Sequence, residues 1–375
     1  MALYAGLISG TSMDGVEAVL LAVDGDRFSV RGAAHFDYPD ELATRLKQVV
    51  AEPGSCDLDT FGALDAAVGE IFAAAALHLL RKTGVAPAAV RAIGSHGQTV
   101  LHRPRLPVSY TVQIGDPNRI AEATGIDVVA DLRRRDMAAG GEGAPLVPAF
   151  HAAAFGVAGS ACAVVNIGGI ANITALPATG AVQGFDTGPG NCLMDLWSQL
   201  HLGRPYDDAG AYAASGQVQP GLLAALLEEP YLALPPPKST GRELFRQAWL
   251  EPRLQAHPAT PADVQATLCE YTAVTIARAL ASVPDFTPRE LLVCGGGAFN
   301  LELMRRLALQ LPQLRVHSTS TRGIAPEQVE GALIAWLAHR HIAGLPGNLV
   351  AVTGARGPRV LGALYPGAVT ALQHP

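Results

Sequence analysis

Cysteine is sparse in this chain of 375 residues: Cys56, Cys162, Cys192, Cys269 and Cys294 are odd in number, make no C-x-x-C pair and join no close Cys/His set. A disulfide scaffold or a zinc ribbon is therefore excluded. Lysine occurs three times, at Lys47, Lys82 and Lys238, and never in a Gly-Lys-Ser or Gly-Lys-Thr string. That removes a Walker-type phosphate loop. Basic excess is also missing, since 27 Lys and Arg stand against 33 Asp and Glu for a net charge of −6, which excludes a basic nucleic-acid binder. The start, Met-Ala-Leu-Tyr-Ala-Gly-Leu-Ile, has no basic region, and residues such as Glu70 and Asn166 interrupt the apolar stretches short of a membrane span. A soluble, cytoplasmic protein with no membrane partner is expected.

What the chain does have is apolar residues, 49% of the total, enough for a large core but at a length where one core usually stops growing. Two domains are expected. The 40 Gly and 27 Pro are scattered between apolar runs, so disorder and collagen-like structure are excluded. Runs at Tyr4–Ser9 and Val16–Val23 flank Gly10-Thr11-Ser12-Met13-Asp14-Gly15 and read as a hairpin, with Phe28–Ala34 as a third strand. Helical spacing over Leu58–Leu80 and a short run at Val90–Gly94 then alternate helix with strand. The pattern restarts at Ala161–Ile167, followed by the glycine loop Gly168-Gly169-Ile170-Ala171-Asn172, a return strand Ile173–Leu176, a strand Val182–Phe185, the loop Asp186–Asn191 and a helix from Cys192. Gly10 and Gly168 lie 158 residues apart, so a duplicated α/β unit with two lobes is the expected fold class.

Glycine loops at strand ends expose backbone N–H groups that can take phosphate oxygens. A third such loop, Gly295-Gly296-Gly297-Ala298-Phe299-Asn300, follows the buried run Leu291–Cys294 and would let a flat ring approach the backbone. It is not a dinucleotide fingerprint, because the third glycine is missing and it lies late in the chain. Any one loop could be a tight turn. Three at the ends of buried strands favour phosphate binding.

The strings Gly10–Gly15, Ser95-His96-Gly97-Gln98-Thr99, Gln113-Ile114-Gly115-Asp116, Asp186-Thr187-Gly188-Pro189-Gly190-Asn191, Pro237–Glu243, the Gly295 loop and Val352-Thr353-Gly354-Ala355 resemble those of the anhydro-N-acetylmuramic acid kinases, from about Gly6 to the end. The resemblance implies an actin-like, ribonuclease H-like fold of two lobes closing on ATP, with lobe boundaries at 1–130 plus about 345–375, and at 131–344. It also implies peptidoglycan recycling and a homodimer. The reaction it implies is the opening of a 1,6-anhydro ring by water with transfer of the γ-phosphate of ATP to O6. An ordinary hydroxyl sugar kinase, or an actin-like nucleotide switch without a sugar, remains the alternative.

Within that resemblance Asp186 is the expected catalytic base, though its position alone serves equally to cap the helix at Cys192. ATP is expected at Gly10, Thr11, Ser12, Met13, Asp14, Gly15, Val16 and Glu17, at Gly168 and Gly169, and at Gly295, Gly296, Gly297 and Asn300. Asp14 is the candidate for a water-mediated magnesium contact, with a turn-stabilising aspartate as the alternative. Arg133, in a charged stretch that could also be solvated surface, is the candidate for a sugar or lactyl carboxylate. His96 would be a polar sugar contact or a buried structural histidine. Glu330 would point to the sugar or simply favour a helix start. Glu142 stands where the family usually shows Gln, which adds a carboxylate to the same loop.

Overall fold

The computed structural model describes residues 1–367 except Thr11, Pro237 and Arg242. The chain divides into two compact units, one of residues 1–154 joined by the segment from Gln328 on, the other Phe155–Glu327. Strands β1 (Ala2–Ser9), β2 (Gly15–Asp24), β3 (Arg27–Asp37), β4 (Val90–Arg103), β5 (Tyr110–Ile114) and β6 (Val128–Ala130) belong to the first unit, and β7 (Cys162–Ile167), β8 (Ile170–Leu176), β9 (Gln183–Pro189), β10 (Glu290–Cys294) and β11 (Arg315–Ser318) to the second. The last strand, β12 (Ala363–Tyr365), returns to the first.

The first sheet runs β12-β6-β4-β1-β2-β3 with β5 beside β4, and the second runs β11-β10-β7-β8-β9. In both, the first three strands form an antiparallel meander, and the first strand pairs in parallel with the next one along. Strand order and direction therefore repeat over five strands. This is the expected duplicated α/β arrangement, and it is legible because β1, β2 and β7 are buried on both faces and read as nearly continuous apolar runs.

One face of the first sheet is covered by the helix Leu58–Thr83, whose start is capped by Asp57 accepting from the Thr60 N–H at 2.7 Å. Leu64, Val68, Phe72 and Leu79 of this helix join Leu7, Val16 and Leu20 in the core. The helix is long and apolar enough by composition to cross a membrane, and half of that stretch is buried inside the protein. The helix Val329–Ile342 packs against β1, β2 and β4. A Cβ on Gly6 would lie 2.0 Å from the Gly331 carbonyl oxygen, so strand and helix meet backbone to backbone. In the second unit the helix Pro261–Ala281 buries Leu268, Tyr271 and Ile276 into a core shared with Val165, Ile173 and Val293.

The unit boundaries differ from those read off the sequence. Residues 131–154 join the first unit because the buried Asp136 accepts from Asn348 Nδ2 and Thr353 Oγ1, both at 2.7 Å, while Glu142 N–H donates to the Thr353 carbonyl. The return segment begins near 328 rather than 345, since the helix Val329–Ile342 is the cover of the first sheet.

Candidate active site

Asp186 lies inside β9, not on a turn after it, because pairing with β8 continues to Pro189. A bulge falls beside it: Asn172 pairs with Asp186 and Ala171 with Gly188, leaving Thr187 extra, its hydroxyl donating to the Ala171 carbonyl at 3.2 Å. Bulges re-aim side chains, and this one follows Asp186 directly. The carboxylate accepts the Thr240 N–H at 3.0 Å. Burial pushes its pKa up to about 6, with the Thr240 N–H working in the opposite direction. The capping alternative fails, since Asn191 stands at the N-cap of Cys192–Leu202. Asp186 is thus a half-buried carboxylate that is ionised at neutral pH and can accept a proton.

The loop expected at Gly168–Asn172 shrinks to the two glycines, because β8 starts at Ile170. Their carbonyls accept the N–H groups of Asn191 at 2.8 Å and of Gly190 at 2.9 Å. Gly295–Asn300 is a 3-10 turn, Gly296–Phe299, rather than an open loop. Gly295 has φ +76 and Gly297 sits against Ile167, so the fold itself requires both. Gly168 and Gly296 differ: neither has a positive φ, and an added Cβ would meet nothing nearer than 3.7 and 3.6 Å. Nothing inside the protein demands glycine there, which is what close approach of an outside group requires. Asn300 is engaged otherwise, its Oδ1 accepting from Leu303 N–H at 2.9 Å as the cap of Leu301–Gln310.

In the first unit the stretch between β1 and β2 is Gly10–Asp14, with Thr11 outside the described residues. Gly10 resembles Gly168 in having no positive φ and no near neighbour, only Ser12 Oγ at 3.9 Å. Met13 takes φ 52, and its N–H reaches the Gly10 carbonyl. Ser12 Oγ donates to Asp14 Oδ1 at 2.7 Å, and Asp14 is exposed. Buried Gln98 anchors the stretch, accepting from Ser9 Oγ at 2.7 Å and donating to the Gly10 carbonyl at 3.3 Å. Gly15, Val16 and Glu17 are already in β2, and Val16 is wholly buried in the core. Glu17 pairs with His35 at 2.6 Å. Burial opposes charge on His35, but the hydrogen bond to Glu17 and the charges of Glu17, Asp14 and Asp37 outweigh it and raise its pKa.

Arg133 and His96 meet in the same unit: Arg133 Nε donates to His96 Nε2 at 3.0 Å, and Arg133 NH1 to the Gly143 carbonyl at 2.8 Å. His96 Nδ1 contacts the Gly97 carbonyl at 2.9 Å, which assigns the proton to Nδ1. Burial, then the Arg133 charge, lowers the His96 pKa to about 3. The histidine is neutral, with both nitrogens engaged, and orients Arg133. Burial lowers Arg133 to about 10 while Glu330, in the first turn of Val329–Ile342, acts the other way, so the guanidinium stays charged near that carboxylate. Glu142 receives Arg105 Nε at 3.0 Å, which offsets the added charge.

These pieces are a half-buried carboxylate, glycines open to an outside group in both units, and a charged arginine held by a histidine. The model of one family, the anhydro-N-acetylmuramic acid kinases, matches residues 2–367. This chain belongs to that family. Members of the anhydro-N-acetylmuramic acid kinases from Xylella fastidiosa and Xanthomonas campestris are similar to it at 51% and 50% identity, covering 97% of this chain and 96% and 97% of theirs. Among solved structures, the activator of the 2-hydroxyisocaproyl-CoA dehydratase from Clostridium difficile with bound ADPNP gives a TM-score of 0.49 at 11% identity, covering 91% of this chain and 96% of that one. As a member of the anhydro-N-acetylmuramic acid kinases, the chain is an ATP-dependent sugar kinase.

Four residues important to this geometry were not singled out from sequence: Gln98, Asp136, Tyr231 and Thr240. Gln98 and Thr240 sat inside quoted motifs, where a backbone or anchoring role leaves no chemical signature. Asp136 sat in a charged run that reads as surface.

Proposed function

We propose that Asp186 is the base of the reaction of this family, ATP-dependent hydrolytic ring opening and 6-O-phosphorylation of 1,6-anhydro-N-acetylmuramic acid in peptidoglycan recycling. An internal acetal has no free hydroxyl at O6. Water attacks C1, its proton passes to the Asp186 carboxylate, the C1–O6 bond breaks, and the electron pair on O6 takes the γ-phosphoryl group as ADP leaves. The products are N-acetylmuramic acid 6-phosphate and ADP. The observation that supports this most is a carboxylate with one hydrogen-bond donor among the described residues and a pKa raised to about 6, beside a strand bulge: it is ionised yet basic enough for water.

The N–H groups of Gly10–Asp14 and of Gly168–Gly169 receive phosphate oxygens, and Gly296 admits the adenosine, with Gly295, Gly297 and Asn300 shaping its turn. Arg133 takes the lactyl carboxylate with two bonds, and Glu330 accepts from sugar hydroxyls. Asp14 is one exposed carboxylate, and no group of three or more ligating side chains occurs among the described residues. That fits magnesium, which keeps waters and substrate phosphates as most of its ligands. The ion would offset phosphate charge. A cytoplasmic homodimer completes the reading, with sedimentation as its check.

The test is turnover with ATP and 1,6-anhydro-N-acetylmuramic acid in water labelled with oxygen-18. Label should enter the sugar at C1. Label in phosphate would mean simple ATP hydrolysis and would overturn the assignment.

A further inference from the structure

Three polar groups of Asp186 are held by one distant segment. Its N–H donates to the Lys238 carbonyl at 3.1 Å, its carbonyl accepts from the Tyr231 hydroxyl at 2.8 Å, and its carboxylate accepts from Thr240 N–H at 3.0 Å. Tyr231 belongs to the 3-10 turn Pro230–Ala233, and Lys238 and Thr240 follow outside any helix or strand. Chain outside helix and sheet has no regular hydrogen-bond ladder to keep it in place, so other contacts must hold Lys238 and Thr240 against β9. The Lys238 side chain does this. Its ammonium donates to the Leu232 carbonyl at 2.9 Å and the Tyr231 carbonyl at 3.4 Å, and lies 4.9 Å from the centre of the Tyr231 ring.

These contacts close a ring: Tyr231 to Asp186, Asp186 to the Lys238 backbone, and the Lys238 ammonium back to Tyr231 and Leu232. We propose that Lys238 and Tyr231 are positioning residues that clasp Asp186, keeping the Thr240 N–H on its carboxylate and the carboxylate at one angle. The role of Asp186 as base is the reading this rests on. Lys238 is placed for this task rather than for ATP or sugar, because its donors go to carbonyls within its own segment. Burial lowers its pKa, in keeping with an ammonium that pairs with no carboxylate among the described residues. The Tyr231 phenol takes part in the ring as a donor, to the Asp186 carbonyl.

The consequence is specific. Without the ammonium, Lys238 and Thr240 lose this tie, Thr240 withdraws, and Asp186 loses the Thr240 N–H that lowers its pKa. In Lys238→Met, kcat should fall about 10- to 100-fold with the ATP KM within about twofold, as expected of a misplaced catalytic group. The acid limb of kcat should move above pH 6, and Lys238→Arg, which can donate to the same carbonyls, should restore both. Tyr231→Phe removes one hydroxyl and should shift the limb in the same direction by less. The decisive measurement is the carboxyl carbon-13 titration of Asp186 in the parent and in both variants, which does not depend on turnover. An unchanged titration in folded Lys238→Met and Tyr231→Phe overturns the clasp. If instead Asp186→Asn keeps its turnover, the base assignment falls, while the carbon-13 shift still decides the clasp.

Discussion

Asp136 and Asp186 are both withdrawn from solvent, one in each unit, and their surroundings differ in the number of donors. Asp136, with no exposed surface, accepts from Asn348 Nδ2, Thr353 Oγ1 and the Gly143 N–H, at 2.7, 2.7 and 2.9 Å. Asp186 accepts one backbone N–H among the described residues, and burial pushes its pKa up to about 6. Three donors make a buried carboxylate a structural joint, whereas one leaves it with unspent basicity. The same residue type therefore divides between holding the fold and doing chemistry according to what points at it.

The sharpest way to break this contrast is to neutralise each carboxylate. Asp186→Asn should lower turnover by about a thousandfold, within the range of a lost general base. Because the folded state raises the pKa of Asp186, its ionised form opposes folding above the unfolded value, so the variant should melt no lower than the parent at pH 8. For the same reason the parent's kcat should fall as pH drops through about 6 rather than 4, since the protonated carboxyl cannot take the water's proton. A coupled ADP assay across pH, with thermal melts alongside, reads all three.

Asp136→Ala should do the opposite. Three buried donors lose their acceptor, a loss of about 3 kcal/mol or more of stability by urea unfolding, while turnover per folded molecule stays near the parent's. If both variants lost activity and stability together, donor count would not separate the roles.

A smaller effect separates two neighbouring glycines. Gly296→Ala has room in the protein and should keep its melting temperature while raising the ATP KM about tenfold. Gly297→Ala places a Cβ 2.4 Å from Ile167 Cγ2 and should destabilise by about 1–3 kcal/mol. Equal melting losses would remove the argument that Gly296 is kept for a ligand. The smallest effect belongs to Glu142→Gln, which breaks an exposed pair with Arg105 and should change unfolding by less than about 1 kcal/mol.

Much of the fold was legible because β1, β2 and β7 are buried on two faces and the glycine turns that follow β1 and β7 recur at a fixed offset. The short strand β6 and the edge strand β12 were missed: three residues each carry no periodicity, and their pairing is set by chain far away. Asp186 was found through its motif, yet its place inside β9 was not, because Gly188 and Pro189 read as a turn while the ladder with β8 continues through them. Two of the partners that hold it, Tyr231 and Thr240, are 45 and 54 residues away in sequence, and Thr240, like Lys238, reaches it through a backbone atom of its own. Backbone donors are the same in every residue. His96 was recognised but its task was not, since an engaged and a free imidazole look alike until the neighbour of each nitrogen is known.

The split of the first unit has a consequence for synthesis. On the ribosome, β1 to β6 emerge well before the helix Val329–Ile342 that covers them, before the Asn348 and Thr353 that Asp136 needs, and before the β12 edge. Residues 155–327 lie between, and at about 5–20 residues per second they take roughly 10 to 35 s to appear. Throughout that interval the earlier-made sheet waits with an apolar face bare while the later-made unit, contiguous in sequence, can close on its own. The first part of the polypeptide to be translated is the last to be finished, and the nascent chain depends on that face being shielded until the segment from Gln328 on arrives.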